Sequence, residues 1–268
     1  MKFRIVSFLI CLCLFFNIAV CAGAQKKLKV AVTTSHLSSL INEICGDKID
    51  VITILEPTVC PSNNDIDAGK MKQISTSNIV LYHSWQPWAK DLKYKIANLE
   101  ILYKEFKTEG NLMIPYINIR AAEEIKSIFS ILDADNKKLY ESNFIKYVFK
   151  VNNISEEITR NGGINYNKKI VCNNMIADFM KWLGFNVIAE YPKPEKISTA
   201  DMASLIKKAK KEKVICVVDN LQLGTDVGRI LKKDLNLKHT AISNFPLGNS
   251  YIYTLKNNIA KINKVIGQ

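Results

Sequence analysis

The sequence predicts an α/β protein of two lobes, each a mainly parallel sheet covered by helices, joined by one long rigid helix with a ligand cleft between the lobes. Three observations predict it. Short strand and helix signals alternate along the chain with little between them. The alternation stops for a single helical stretch of unusual length, and after the Gly162-Gly163 break it resumes. The expected divisions are a leader over 1–24, an N-terminal lobe over 25–133, a connecting helix over 134–161 and a C-terminal lobe over 162–268.

Lys2 and Arg4 precede an apolar run that ends in Ala22-Gly23-Ala24, the pattern of a cleaved export signal. The expectation is an exported chain, periplasmic or held at the cell surface, cut near Ala24. Val20 is bulky where a lipid-attachment signal at Cys21 wants a small residue. The net charge is +12, from 37 Lys and Arg against 25 Asp and Glu, and it stays strongly positive without Lys2 and Arg4. Such a field does not favour a free cation. The lysines fall in short helical clusters such as Lys207-Lys208-Ala209-Lys210-Lys211 without interleaved aromatics, so nucleic acid is not an expected partner.

Val30 and Val32 mark the first strand. Leu37, Leu40, Ile41 and Ile44 then form one helix face, closed by Gly46. Strands are expected at 49–55, 78–82 and 100–103, with a helix near 86–98. Phe144, Tyr147, Val148, Val151, Ile154 and Ile158 lie on one face of the long helix. Beyond it come strand 168–172, a helix from about 174, strand 186–190, a helix from Thr199, strand 213–218, a helix near 225–235 and strand 238–243. A last helix turns Ile252, Leu255, Ile259 and Ile262 inward. Ligands of open parallel sheets bind beyond the carboxyl ends of the strands, which in a two-lobed chain meet in the cleft.

Several segments carry a resemblance in the right order. They are Val32-Thr33-Thr34, Gly46-Asp47-Lys48, the turn after Leu55-Glu56-Pro57, Gln86-Pro87-Trp88, Tyr140-Glu141-Ser142-Asn143, Leu183-Gly184-Phe185 and Ser250-Tyr251 with Asn258. Together they resemble the zinc/manganese solute-binding proteins of ABC transporters, the cluster A-I or TroA-like family. The resemblance implies a metal site in the cleft and one transition-metal ion carried as cargo. It also implies delivery to a membrane permease powered by an ATPase, with a monomeric receptor and no catalysis. No G-x-S-x-G, H-E-x-x-H or phosphate-binding loop is present to suggest an enzyme.

The resemblance also implies a set of histidine and carboxylate ligands, and at those positions the chain departs from it. Ser62 follows Pro61 where the family has histidine, Met113 stands at the second histidine and Asn173 at the third. Asn244 or Phe245 stands at the final aspartate, while Asp219 matches the family's acidic position after its strand. The three histidines are His36, His83 and His239. His36 and His239 read as surface or capping residues, whereas His83 follows a strand beside Trp85 and should face the cleft.

Two site expectations follow. In the first, Cys60, Met113, Cys172 and His83 form a soft set for a thiophilic ion such as Cu(I), unless Cys60 and Cys172 are packing residues or a disulfide. In the second, Ser62, Asn63, Trp85, Asn173, Asp219, Asn244 and Phe245 line a cleft for an organic molecule or a chelated metal. A surface adhesin of the same architecture is the third alternative, and no repeat or stalk in the sequence supports it.

Overall fold

The computed structural model describes residues 27–62, 66–160 and 167–267. The leader, Cys21, Asn63 and the Gly162-Gly163 break therefore lie outside the described residues.

The N-terminal sheet is β1 (Leu28–Val32), β2 (Ile49–Thr53), β3 (Ile79–His83) and β4 (Leu102–Phe106), all parallel in the order β2-β1-β3-β4. All five residues of β3 are buried, as a central parallel strand requires, while the edge strand β4 alternates exposed and covered positions. Its crossovers are α1 (Ser35–Cys45), α2 (Ala68–Ser75) and α3 (Pro87–Lys95), followed by α4 (Pro115–Leu132). Gly46 leaves α1 at φ 60°, and the Asp67 side chain caps α2 by accepting from Lys70 N.

The C-terminal lobe repeats the plan. Strands β5 (Lys169–Asn173), β6 (Asn186–Tyr191), β7 (Cys216–Asn220) and β8 (Lys238–Ile242) are parallel in the order β6-β5-β7-β8. Helices α6 (Ala177–Trp182), α7 (Thr199–Lys211), α8 (Asp226–Leu235) and α9 (Tyr251–Ile266) cover the sheet. Ser198 and Asp201 close a capping box at the start of α7.

Between the lobes runs α5 (Lys137–Arg160), 24 residues long. Its Tyr147, Val151, Ile154 and Ile158 belong to one continuous core that also takes in Leu40 and Ile44 of α1, Ile170 and Cys172 of β5, and Leu255 and Ile262 of α9. The lobes are therefore fused through a shared interior at their backs. Smaller cores cover the outer faces of the two sheets, around Val80 and Leu92 in one and Val217 and Leu231 in the other.

The structure departs from the sequence prediction in particular places. Neither α2 nor α4 was expected, although Ile117, Ala121, Ala122, Ile125, Ile128 and Phe129 supply a buried α4 face at helical spacing. The long helix starts at Lys137, after a 3-10 turn over Ala134–Asn136. The fourth strand begins at Leu102, two residues beyond the expected start.

Candidate functional site

The carboxyl ends of the two central strand pairs, β1/β3 and β5/β7, face each other across the lobes. On the N-terminal side Gln86 organises the loops. It accepts from Thr33 Oγ1 at 2.6 Å and from His83 N at 3.2 Å, and it donates to Pro61 O at 3.3 Å. Trp88 Nε1 donates to the same carbonyl at 3.2 Å, so the turn carrying Cys60 and Ser62 is pinned to α3. On the C-terminal side Asn173 caps the turn after β5, accepting from Met175 N at 3.0 Å and donating to Tyr191 O at 3.3 Å. Asn220 plays the same part after β7, accepting from Gln222 N at 3.0 Å.

Side chains from both lobes then meet directly. Gln222 Nε2 donates to Pro57 O at 2.7 Å and to Ser243 Oγ at 2.8 Å, and its Oε1 accepts from Asn244 N at 3.0 Å. Asn111 Nδ2 donates to Asn244 Oδ1 at 2.9 Å and to Met175 O at 3.0 Å. Lys193 Nζ reaches Cys60 Sγ and Ser62 Oγ, each at 2.8 Å. His36 Nε2 donates to Asn244 O at 2.8 Å while its ring packs on Phe245, with centroids 4.9 Å apart. What remains open is a cavity of about 260 Å³ lined by Cys60, Ser62, Trp85, Lys193, Gln222 and Asn244, among others. Lys193 and Lys196 both line it, and among the described residues no carboxylate does.

The four residues expected to form a soft metal set are not brought together. Cys60 lines the cavity. Met113 and Cys172 are each 0 % exposed in the shared core, where long apolar neighbours surround them. His83 is 1 % exposed, stacked behind Trp85 at 4.9 Å and edge-on to Phe106 at 5.4 Å. All four described cysteines are free thiols, so Cys60 and Cys172 are not a disulfide. Among the described residues, no three His, Cys, Asp or Glu side chains converge as a metal ion would need.

Of the residues expected to line a cleft for an organic or chelated ligand, Ser62, Trp85, Asn244 and Phe245 do line the cavity. Asn173 is buried beneath it as a capping residue. Asp219 is also buried, its Oδ2 2.6 Å from His239 Nε2 and its Oδ1 accepting from the Tyr191 hydroxyl. His36 is no surface residue: it is 4 % exposed and spans the lobes. Sequence reasoning missed Lys193 and Gln222. Their importance arises only from the apposition of two lobes 130 or more residues apart in the chain, a separation that carries no local signal.

Burial decides the protonation states. It lowers His36 to about 4, against the partial support of the Asn244 carbonyl. Burial, helped by the nearby His36, lowers His83 to about 3, so both rings are neutral at physiological pH. Cys45 and Cys172 are pushed far up by burial, and Cys216 rises to about 12 for the same reason. Cys60 moves the other way. Partial burial opposes ionisation there, but hydrogen bonds from Lys193 and Ser62 outweigh it and hold the thiol below its ordinary value.

Two parallel α/β lobes, fused along one helix and meeting through polar groups at their strand ends, define a bilobal solute-binding protein of the metal-importer class. The chain belongs to the ZnuA family, zinc-uptake complex component A, periplasmic, whose family model matches residues 114–265. It is similar to the metal ABC transporter substrate-binding lipoprotein SsaB of Streptococcus sanguinis, at 24 % identity over 90 % of this chain and 89 % of that protein. Its fold matches the crystal structure of ZnuA with a TM-score of 0.76, at 17 % identity over 89 % of this chain and 99 % of that one. It also matches a Mn-bound periplasmic metal-binding protein from Candidatus Liberibacter asiaticus, with a TM-score of 0.75 at 15 % identity over 89 % and 99 %.

Proposed function

We propose that the chain works outside the cytoplasm as the receptor of an ABC importer, taking a metal ion between its lobes and handing it to a membrane permease driven by an ATPase. It acts as a monomer, catalyses nothing and does not bind nucleic acid. The observation that carries the reading is the apposition of the two central strand ends, with side chains of one lobe bonded directly to the other at His36–Asn244, Asn111–Asn244 and Gln222–Pro57. Such contacts form when the lobes close and must part when they open, which suits capture and release. Membership of a metal-uptake family supports a metal as cargo.

A second reading concerns the form of that cargo. Among the described residues two lysines and no carboxylate line the cavity, and this favours an anionic metal chelate or organic anion in the open space over a bare cation there. Melting curves of the mature chain separate the readings, because a ligand that binds only the folded state raises Tm. A rise with free Mn(II), Zn(II) or Cu(I) supports the bare ion. A rise only with a citrate complex of the same metal supports the chelate. If neither raises Tm, the chain is not a metal receptor.

A further inference from the structure

Three buried polar atoms lack any hydrogen-bond partner around the start of α1: Ser35 Oγ, His36 Nδ1 and His83 Nδ1. Ser35 and His36 are the first two residues of the helix, and His83 is joined to the residue before them by a 2.8 Å hydrogen bond between its Nε2 and Thr34 Oγ1. The place has a topological meaning. In the order β2-β1-β3-β4 the chain switches direction between β1 and β3, and a ligand of an open parallel sheet binds at the carboxyl ends of the strands flanking that switch. Thr34-Ser35-His36 follows β1, and His83 ends β3.

The chemistry of the rings is specific. Nε2 of His36 faces a carbonyl oxygen, so it must carry the proton, and a neutral ring protonated there leaves Nδ1 as a bare lone pair. An imidazole that ligates a metal through one nitrogen nearly always donates from the other to a carbonyl or carboxylate, which fixes the ring and raises its basicity. His36 has that arrangement, with the unengaged nitrogen unpartnered inside the protein. In His83 too, one ring nitrogen is engaged and the other is open.

We infer that His36 and His83 are nitrogen ligands of a transition-metal ion bound at the switch point of the N-terminal sheet, with Ser35 Oγ as an adjacent oxygen donor. Its ligands come from the loops after β1 and β3 rather than from Ser62, Met113, Asn173 and Asn244, the positions where the family carries its own. It is completed by closure, because the carbonyl that orients His36 belongs to Asn244 of the opposite lobe. Two imidazoles and a hydroxyl suit borderline ions such as Zn(II) and Co(II) better than Cu(I).

The inference rests on the reading of the chain as a receptor for a bare metal ion, and the experiment separates the two. Equilibrium dialysis of the full mature chain against Zn(II) and Co(II) is compared for the wild type, His36→Gln, His83→Gln and Glu156→Gln. His36→Gln keeps an amide N–H for the Asn244 carbonyl while removing the ring nitrogen. One bound ion is expected, weakened about tenfold or more by either histidine substitution and unchanged by Glu156→Gln, which lies on the exposed face of α5. Undiminished binding in both histidine variants overturns the inference alone and leaves the receptor reading standing. A wild type that binds neither ion overturns the inference together with the bare-ion reading. Should a variant fail to fold, nitrogen NMR of the wild-type imidazoles decides: a Zn(II)-induced shift of both Nδ1 resonances supports the site, and unshifted resonances overturn it.

Discussion

Lys193 of the C-terminal lobe places its ammonium 2.8 Å from the sulfur of Cys60 in the N-terminal lobe. The contact stabilises the thiolate, so among the described cysteines Cys60 is the one best prepared to react. Lys193→Ala is expected to slow alkylation of Cys60 by iodoacetamide at neutral pH, and Lys193→Arg to restore most of the rate. The pair is only part-buried and links two loops, so it contributes little to folding. The loss of stability in Lys193→Ala should stay within about 1 kcal/mol in urea denaturation.

Met113 and Cys172 behave oppositely. Both are fully buried in the shared core, so Met113→Ala should cost roughly 2–5 kcal/mol of stability by opening a cavity, and Cys172→Ala roughly 1 kcal/mol. Neither should change metal affinity when measured on the folded fraction. A loss of binding at preserved stability would return them to the ligand set.

Stability should fall in mild acid. His36 and His83 are held at about 4 and about 3 against an ordinary value of 6.5. As pH drops below about 6.5 the unfolded chain takes up protons before the folded one does. Stability is therefore fully present above that value and is lost as pH falls toward the folded values. Near pH 5 the expected loss is roughly 2 kcal/mol for each histidine. Guanidinium titrations of the metal-free chain at neutral pH and near pH 5 measure it, and the difference should shrink by about half in His36→Gln.

Gly228 in α8 faces the Asp219–His239 pair, and a Cβ there would overlap Asp219 Oδ2 and lie 2.5 Å from His239 Nε2. Gly228→Ala should destabilise by roughly 1–3 kcal/mol despite the better helix propensity of alanine. Gly69→Ala in α2, where the nearest atom would be the capping oxygen of Asp67 at 3.1 Å, should lower Tm less than Gly228→Ala does.

Much of the architecture was legible because it is written locally. Leu37, Leu40, Ile41 and Ile44 announce α1 by spacing alone, and all four are fully buried. Val217 and Val218 likewise announce a central strand. Helix α4 carries a local signal too, in its Ile and Ala face, set between a glycine-bearing loop and the long helix. The site was less readable. Cys60 and Cys172 look alike in sequence, each within two residues of a position where the family keeps a histidine, yet one lines the cavity and the other points from β5 into the shared core. A strand's two faces differ only by one residue of register, and only the assembled sheet shows which side is core. The place of His36 is hidden in the sequence for a related reason: its partner Asn244 is 208 residues away.

The three sealed cysteines have a consequence for the life of the protein. Cys45, Cys172 and Cys216 are free, buried and resistant to ionisation, so in the folded chain oxidants find no thiolate among them. Folding itself is their protection. An exported molecule that opens in an oxidising compartment exposes all of them at once, and the disulfides formed then have no counterpart in the native fold. For such a chain, time spent unfolded leaves a chemical record, and its working lifetime is set by how rarely it opens.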